Sequence, residues 1–293
     1  MSINENISKI ESIIFTDPGN RGISSLYQPN SLQKAAELIL KTPKDKKSFV
    51  LTGFCCLFPS CETDGPLGSS ILNSTLNNLG FNTFLLTDPF SEKVVKASLT
   101  NDKIVIEDSY ESFIKKNKEE EISFIIACER AGRSLKTKDY RTMRAKDISK
   151  QTCNLDLLFP GENEKKKYLT IGIGDGGNEC GTGNIYKEVQ KKIKFGEEIC
   201  TDRFCDILIM SGVSNWGGLG LSASLVILSG DKNIMELFVK DCYTQKDLLK
   251  KMVEAGSYDG VSGKRELIVD GMDFDKEHME IIEKIVKVVK ECF

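Results

Sequence analysis

The amino-acid sequence predicts an α/β fold, specifically a three-layer α/β/α sandwich built on a mainly parallel, doubly wound sheet. Two patterns support this class. Short apolar runs recur along the chain, and several are continuously apolar, as expected for strands that are buried on both faces. Segments with helical spacing separate these runs, and such alternation is typical of parallel strands covered by helices.

Seven apolar runs carry the strand prediction. They are "SFVLTGF" (48–54), "NTFLLT" (82–87), "KIVIE" (103–107), "ISFIIAC" (122–128), "YLTIGI" (168–173), "DILIMS" (206–211) and "ELIVD" (266–270). The residues ahead of the first run are expected to form an N-terminal helical layer, 1–47, packed on the sheet. No repeat or low-complexity linker divides the chain, so we expect a single domain over 1–293.

Helices are predicted between the strands. They are "SLQKAAELILK", "PLGSSILNSTLNNLG", "SYESFIKKNKEE", "NIYKEVQKKI", "WGGLGLSASLVILS" and "TQKDLLKKMVEAG". Ser31 is the expected N-cap of the first helix, because a serine hydroxyl can accept a hydrogen bond from the first turn. Pro66 and Gly80 flank the second, with proline at the first helical position and glycine just past the end.

Composition restricts the class of partner and the compartment. The formal net charge of -3 gives no electrostatic reason to expect nucleic acid. No apolar stretch reaches the ~20 residues that span a bilayer. The start, "MSINENISKIESIIF", lacks the features of a secretory or mitochondrial targeting segment. The ten cysteines form no C-x-x-C pair, which predicts reduced thiols, no zinc site and a cytoplasmic location.

The single histidine restricts the chemistry further. His278 belongs to "FDKEHMEIIEKIVKVVKECF", a predicted C-terminal amphipathic helix, and is expected to be a surface or packing residue. A Ser-His-Asp or Cys-His arrangement is therefore not expected. Any proton transfer must fall to carboxylates, Lys, Tyr or Cys.

Polar clusters follow several of the predicted strands. They are Glu62, Thr63 and Asp64 after 48–54, Glu129 and Arg130 after 122–128, Asp175, Asn178 and Glu179 after 168–173, Asn215 after 206–211, Asp17 and Arg21 after "IIF", and "DGMD" after "ELIV". Each cluster alone would also fit a helix cap, a turn or surface charge. Ligands of an open parallel sheet bind outside the carboxyl ends of its strands, so the equivalent positions predict one shared rim.

The glycine-rich stretch "GIGDGGNECGTGN" (172–184) is the most unusual of these segments. It matches G-x-G-x-x-G after a strand, but Asp175 would repel a pyrophosphate and the helix starts late, so no nicotinamide or flavin is expected. The glycines are instead predicted to form a nest of backbone N–H donors for a carboxylate or an oxyanion. Asp175 and Glu179 would project beside it to handle an ammonium, a proton or a metal.

At this point the chain resembles the D-glutamate cyclase-like family. The matching segments are "TGFCCLFPSCETDGPLGSSIL", "ERAGRS", "IGIGDGGNECGTGN", "SGVSNWGGLGL", "AGSYDGVSG" and "VDGMD", in family order over residues 16 to 273. Two segments depart from the pattern. After "ERAGR" the family usually has Asp-Gly and then a Tyr, whereas this chain has "SLKTKDYRTMRAKD", in which Tyr140 and Met143 match family positions. "GTGN" stands where the family usually has Gly-Met-Gly.

The resemblance implies a lyase that closes D-glutamate to 5-oxo-D-proline with loss of water, reversibly and without ATP. Because amine and γ-carboxyl belong to one molecule, the first task is to fold the substrate into a reactive conformer. The predicted acid, base or metal ligands are Glu62, Asp64, Glu129, Asp175 and Glu179. The predicted substrate-binding residues are Arg21, Thr63, Arg130, Gly174, Gly176, Gly177, Asn178 and Asn215.

Specific roles follow from the chemistry of each group. Arg130 or Arg21 would pair with the α-carboxylate, since a guanidinium binds it bidentately. The 174–177 backbone and Asn178 would stabilise the tetrahedral oxyanion, and Asn215 would orient the substrate. A divalent ion, Mn²⁺ or Mg²⁺, is a possible cofactor; Asp175 and Glu179 would be its ligands.

The residues are also compatible with two other functions. The same nest would suit a non-catalytic binding module for a small carboxylate or phosphate ligand. The same fold would also suit an enzyme acting on a nucleotide or phosphorylated substrate. The sequence leaves the substrate enantiomer, the metal dependence and the oligomeric state undetermined.

Overall fold

The computed structural model describes residues 2–18 and 22–293, and it contains a six-stranded parallel sheet. The strands are β1 (Lys47–Thr52), β2 (Asn82–Thr87), β3 (Ile104–Ile106), β4 (Ile122–Cys128), β5 (Leu169–Gly174) and β6 (Ile207–Met210). Their order across the sheet is β3-β2-β1-β4-β5-β6, and every neighbouring pair is parallel. The winding reverses between β1 and β4, where a doubly wound sheet opens its ligand crevice.

Ten α-helices accompany the sheet in the described part of the chain. They are α1 (Ile3–Ile14), α2 (Ser31–Leu40), α3 (Pro66–Asn78), α4 (Glu92–Ser98), α5 (Tyr110–Lys116), α6 (Tyr186–Lys192), α7 (Gly196–Ile199), α8 (Ser214–Ser229), α9 (Lys232–Glu254) and α10 (Met279–Lys290). Among residues 2–18 and 22–293, no helix has both the length and the apolar character needed to cross a bilayer.

Alternating strand residues divide the core into two layers. In β4, Phe124 and Ile126 face the core built with α1, α2, α3, α8, α9 and α10, whereas Ile125 and Ala127 face the core built with α5 and α6. Successive side chains of a strand point to opposite faces, so a run that is apolar at every position buries both. This arrangement confirms the predicted α/β sandwich.

The start of α2 differs from its prediction. The N-cap is Asn30, and Ser31 is already helical. The cap is supplied by Glu11 of α1, whose carboxylate accepts hydrogen bonds from the Ser31 hydroxyl at 2.8 Å and the Leu32 amide at 3.0 Å. A carboxylate is favourable there because it faces unpaired N–H groups and the positive end of the helix dipole. By contrast, Pro66 begins α3 and Gly80 follows its end, as predicted.

The run 266–270 is not a strand of the parallel sheet, which corrects the prediction. Ile268–Val269 pairs antiparallel with Met272–Asp273 in a separate two-stranded hairpin. Asp270 and Gly271 have φ values of 54° and 77°, the left-handed geometry of a two-residue hairpin turn. The turn reverses the chain at Asp270 and therefore ends the extended run.

Candidate functional site

A cavity of about 550 Å³ lies at the carboxyl ends of β1, β4 and β5. Four carboxyl side chains line it: Glu62, Glu129, Asp175 and Asp270. Cationic side chains also line it, namely Arg144, Lys146 and Lys194, and the other polar lining residues include Thr142 and Asn178. The rest of the wall is largely apolar. The crevice predicted at the edge of the sheet therefore exists, and its lining contains basic side chains as well as the four carboxyls, which we call the acidic wall.

The structure divides the predicted site residues into two groups. Glu62, Glu129, Asp175 and Asn178 line the cavity. The remaining described residues of the prediction are not among its lining: Thr63, Asp64, Arg130, Gly174, Gly176, Gly177, Glu179 and Asn215. Arg21 lies outside the described residues. The two predicted turns, one carrying Glu62 and the other carrying Asp175, therefore open onto the same cavity.

Asp64 caps the N-terminus of α8. Its Oδ1 accepts a hydrogen bond from the Asn215 amide at 2.8 Å, and its Oδ2 accepts one from the Ser214 amide at 2.9 Å. The residue before the helix, Val213, provides no side-chain cap. Asp64 supplies the missing acceptor for these N–H groups, so it joins the loop after β1 to the helix after β6.

Asn215 makes the reciprocal contact with the start of α3. Its side-chain oxygen accepts hydrogen bonds from the amides of Gly65 and Gly68, at 2.9 and 2.8 Å. Its Nδ2 donates to the Thr63 carbonyl at 3.1 Å. The amide side chain is thus committed to the backbone of residues 63–68, and we revise its predicted role from orienting substrate to positioning this turn.

The glycine turn after β5 binds a carboxylate that belongs to the chain itself. Glu179 Oε1 accepts a hydrogen bond from the Gly176 amide at 2.7 Å, and Oε2 accepts one from the Gly177 amide at 2.8 Å. A Cβ at Gly174 would approach Glu179 Oε2 to 2.7 Å, so glycine is required for this close approach. The predicted nest is present, but Glu179 occupies its donors, and we withdraw the oxyanion role proposed for residues 174–177.

Asn178 has a role different from the predicted one. Its Nδ2 donates to the Arg141 carbonyl at 2.7 Å, and this assignment fixes the amide orientation because a carbonyl only accepts. Its Oδ1 is buried and has no hydrogen-bond partner in the described part of the chain. An oxyanion requires a donor, whereas the group left over is an acceptor. Asn178 therefore suits an ammonium, a metal ion or a water.

Arg130 is committed to a buried ion pair. Its Nη1 lies 2.6 Å from Asp88 Oδ2 and 3.1 Å from the Gly53 carbonyl, and Nη2 donates to the Cys153 carbonyl at 2.6 Å. The side chain is fully buried. It holds together the loops after β1, β2 and β4, and we revise its role from binding the substrate carboxylate to this positioning.

Thr63 also serves the backbone. Its Oγ1 donates to the Ile268 carbonyl at 2.9 Å, and its amide donates to the Tyr258 carbonyl at 2.9 Å. These bonds tie the loop after β1 to the hairpin that carries Asp270. Thr63 therefore positions a cavity-lining acid from a distant part of the sequence.

Burial raises the pKa of the acids around the cavity. The pKa values of Glu62 and Asp64 are raised well above the ordinary range by desolvation first and by the charge of Asp270 second. The pKa of Glu129 is raised by desolvation and then by the charges of Asp175 and Glu179. Hydrogen bonding to Glu62 and Glu129 is modest: Ser214 Oγ donates to Glu129 at 2.6 Å, and the Cys56 thiol lies 3.5 Å from Glu62 Oε2.

Burial also raises the pKa of Glu179, although hydrogen bonds from the amides of the glycine turn lower it. Among the described residues, none of Glu62, Asp64, Glu129 and Glu179 forms an ion pair with a lysine or arginine. Buried carboxylates ordinarily require such compensation or become protonated. These acids therefore have the environment of proton-transfer groups or of ligands to a cation.

Two sets of acids are close enough to hold a divalent ion. Each set has one oxygen per residue with all three oxygens within 4.8 Å of one another: Asp64, Asp175 and Asp270, and Glu129, Asp175 and Glu179. Carboxylate oxygens are the donors that suit Mg²⁺ and Mn²⁺. The donor chemistry fits the predicted cofactor, and Asp175 is common to both sets.

His278 packs beside the site and does not reach it. The Trp216 indole N–H donates to Nδ1 at 2.9 Å, so Nε2 carries the proton and bonds to the Val269 carbonyl at 3.0 Å. Burial lowers the pKa of the imidazole. The histidine is the packing residue that the sequence suggested, and it connects the start of α10 to the strand Ile268–Val269, which precedes Asp270.

Four charged lining residues were absent from the predicted site. Asp270 had a visible signal, since "ELIV" runs directly into an Asp-Gly turn, but it was not included. Arg144, Lys146 and Lys194 had no signal, because charged residues in a loop are ordinarily solvated. Their position becomes evident only when the chain folds back over the cavity.

Comparison with known proteins finds a family match and a curated relative. The profile of a family described as "D-glutamate cyclase-like, C-terminal" matches residues 10–286. Human "D-glutamate cyclase, mitochondrial" is 28% identical over an alignment that covers 98% of this chain and 52% of the human protein. The chain therefore spans about half the length of this relative.

Solved structures show only remote similarity. An exopolyphosphatase-related protein from Bacteroides fragilis aligns with a TM-score of 0.38 and 12% identity, covering 88% of this chain and 56% of that one. RecJ from Thermus thermophilus in complex with Mn²⁺ aligns with a TM-score of 0.37 and 12% identity, covering 89% and 37%.

Proposed function

Because this chain belongs to the D-glutamate cyclase-like, C-terminal family, we propose that its cavity interconverts D-glutamate and 5-oxo-D-proline plus water. The proposal rests on one observation about the acidic side chains of the cavity. Glu62 and Glu129 line a single cavity and both have pKa values raised by burial. Cyclisation needs one group to take a proton from the ammonium and another to protonate the departing oxygen.

The reaction balances without a co-reactant. The freed amine attacks the γ-carboxyl carbon, a C–N bond forms, and one oxygen leaves as water after protonation. Because nucleophile and acceptor belong to one substrate, orientation in a cavity can supply several kcal/mol of the barrier reduction. The apolar part of the wall excludes bulk water and strengthens electrostatic interactions with the reacting groups.

Glu129 is the proposed general acid and Glu62 the proposed general base. Besides burial, the charges of Asp175, Glu179, Asp64 and Glu62 raise the pKa of Glu129, which favours the protonated form. At Glu62 the thiol of Cys56, 3.5 Å from Oε2, acts in the opposite direction. Carboxyls whose environments differ in this way can divide acid and base roles.

Asp64, Asp175 and Asp270 are the residues that would hold a divalent cation while leaving Glu129 to transfer protons. When bound, such an ion would polarise an oxygen of the γ-carboxyl group. Asp64 is held rigidly by the amides of Ser214 and Asn215. Asn178 Oδ1 offers the substrate ammonium an acceptor.

The test is a turnover assay on the purified chain. D-glutamate and, separately, 5-oxo-D-proline are incubated with protein, with EDTA or with added Mn²⁺, and both compounds are resolved by chiral chromatography. We expect interconversion, and the EDTA arm reports metal dependence. Absence of turnover in every arm, with ligand binding retained, would favour the second candidate.

That second candidate is a binding module for a small anionic ligand, and the cationic lining of the cavity favours it. Arg144, Lys146 and Lys194 would attract a carboxylate or a phosphate irrespective of any reaction. A thermal-shift series with glutamate enantiomers, oxoproline and nucleotides separates the candidates, because a ligand that binds the native state raises apparent stability. The cytoplasmic location remains a prediction from composition.

A further inference from the structure

We infer that the turn 141–147 is the carboxylate-binding arm of the cavity, in which Arg144 and Lys146 receive the α-carboxylate of the substrate. This inference rests on the proposed function and specifies how the amino acid is oriented. The ammonium points to the acidic wall, and the carboxylate that takes no part in the reaction points to the arm.

The distribution of charge in the cavity supports this orientation. Four carboxyls line the acidic wall, and the described cations of the lining include two from the single turn 141–147, Arg144 and Lys146. A zwitterion placed with its ammonium at the acids and its carboxylate at the arm meets an opposite charge at both ends. The reverse placement sets like charges against each other in a partly desolvated space.

Hydrogen bonds within the arm fix its backbone. The Thr142 amide donates to the Lys146 carbonyl at 3.0 Å, and the Ala145 amide donates to the Thr142 carbonyl at 2.9 Å. Thr142 Oγ1 also accepts from the amides of Arg144 and Lys146, at 3.2 and 3.3 Å. This network fixes the backbone from which both cations project.

The arm also contacts two other segments near the cavity. Arg144 Nη2 donates to the carbonyl of Val261, another lining residue, at 3.1 Å. Met143 packs on the glycine turn so closely that a Cβ at Gly176 would lie 2.7 Å from its sulfur. The Arg144 guanidinium is therefore held at the cavity lining and the backbone that carries Lys146 is fixed, which reduces the ordering needed when the ligand binds.

Asn178 links the arm to the acidic wall. Its Nδ2 binds the Arg141 carbonyl, the first residue of the arm, and its buried Oδ1 has no partner in residues 2–18 and 22–293. An ammonium is a donor that would satisfy this oxygen. In an α-amino acid the ammonium and the α-carboxylate share one carbon. A donor at Asn178 therefore brings that carboxylate next to the arm that Asn178 contacts.

The test measures binding by isothermal titration calorimetry, so that it does not depend on turnover. The ligands are D-glutamate and 4-aminobutanoate, which lacks only the α-carboxylate. The variants are Arg144→Gln, Lys146→Gln and the double variant. The control is Lys150→Gln, since Lys150 is an exposed lysine close in sequence but outside the cavity lining.

We expect the Kd of D-glutamate to rise about tenfold in each single variant and further in the double variant, because a charge-assisted hydrogen bond is lost. The Kd of 4-aminobutanoate should be unchanged, and so should both values in the control. A D-glutamate Kd in the double variant within twofold of the wild-type value would refute the inference that the turn 141–147 binds the α-carboxylate. If Arg144→Gln melts early through loss of its bond to Val261, Lys146→Gln alone decides the question.

The same titrations separate this inference from the proposed function. Wild-type protein that binds D-glutamate without converting it would refute the lyase and still test the arm. Wild-type protein that converts D-glutamate, with double-variant binding unaltered, would refute the arm alone. Wild-type protein that binds neither D-glutamate nor oxoproline would refute both.

Discussion

Buried charges near the carboxyl edge of the sheet are compensated in one region and not in another. In the compensated region, Arg130 pairs with Asp88 at 2.6 Å, and Arg203 pairs with Asp202 at 2.8 Å. In the cavity region, Glu62 and Glu129 are equally buried, and their described partners are a thiol and a hydroxyl. Both regions place charge in a low-dielectric environment, but among residues 2–18 and 22–293 the first region contains ion pairs with arginine, whereas Glu62 and Glu129 form no ion pair with a lysine or arginine.

The difference indicates what each region is for. A buried pair whose members satisfy each other fixes loops, and it is costly to break because the remaining charge stays desolvated. Glu62 and Glu129, which form no ion pair with a described lysine or arginine, carry a desolvation cost in the folded protein itself. Local violations of this kind are expected at functional sites, where a ligand supplies the missing charge.

The largest effect is expected from neutralising the proposed acid. Glu129→Gln preserves the shape of the side chain and an acceptor for Ser214, but it removes the transferable proton. We expect kcat to fall by about 10²–10⁴-fold, measured by oxoproline formation. The free energy of unfolding should not decrease, because an uncompensated buried carboxyl has been removed. A variant that retains wild-type kcat would exclude Glu129 as the acid.

The opposite result is expected in the compensated region. Asp88→Asn leaves the guanidinium of Arg130 buried without its counter-charge, and we expect the free energy of unfolding to fall by about 3–5 kcal/mol. Denaturant melts provide the measurement. The matched control is Lys96→Gln in the exposed pair Lys96–Glu92, for which we expect a change below about 1 kcal/mol. Equal losses in the two variants would contradict the comparison.

A divalent cation should stabilise the protein through the acids of the cavity and not through the compensated region. Mn²⁺ is expected to raise the apparent melting temperature of the wild type, because it binds the native acids and not the unfolded chain. Asp175→Asn should abolish the increase, since Asp175 belongs to both sets of potential ligands. Asp202→Asn, in the compensated region, should melt earlier and still respond to Mn²⁺. A response that survives Asp175→Asn would place the ion elsewhere.

The smallest expected effect is a pH dependence of the free energy of unfolding that arises from His278. Burial lowers the pKa of His278 in the folded protein below its value near 6.5 in the unfolded chain. Its contribution to stability is therefore present above pH 6.5 and is lost as the pH falls through the lower, folded-state value, by at most about 1.4 kcal/mol per pH unit.

The acids of the cavity have raised pKa values and act in the opposite direction, so the histidine must be isolated by difference. We expect the stability gap between wild type and His278→Gln to narrow between pH 7 and pH 5, in melts with EDTA present. A gap that is constant over this range would show that the imidazole is not held neutral by Trp216.

Local pattern predicted most of the sheet and part of the site. The ranges 82–87 and 122–128 coincide with β2 and β4, because buried parallel strands are apolar on both faces. Proximity at the carboxyl edge followed from parallel topology, and it brought Glu62, Glu129 and Asp175 to one cavity. These features depend on residues near each other in sequence or on a general rule of the fold.

The remaining errors depend on contacts that a sequence does not reveal. Asn215 looked like a substrate-orienting residue, but its side chain caps the start of α3, while Asp64 caps the start of α8 across 151 positions of chain. Glu179 looked available, yet it turns back onto the amides of its own loop. Arg144 and Lys146 resemble solvated loop residues until the turn 141–147 folds over the cavity.

The most direct test of the central claim is a crystal structure of the protein with bound 5-oxo-D-proline. The account predicts ligand density in the cavity between β1 and β4, with the ring nitrogen and lactam facing Glu62 and Glu129. The carboxylate should contact Arg144 or Lys146. Density at another surface, or a carboxylate directed at Glu129, would contradict the claim that the uncompensated acids form the reaction site.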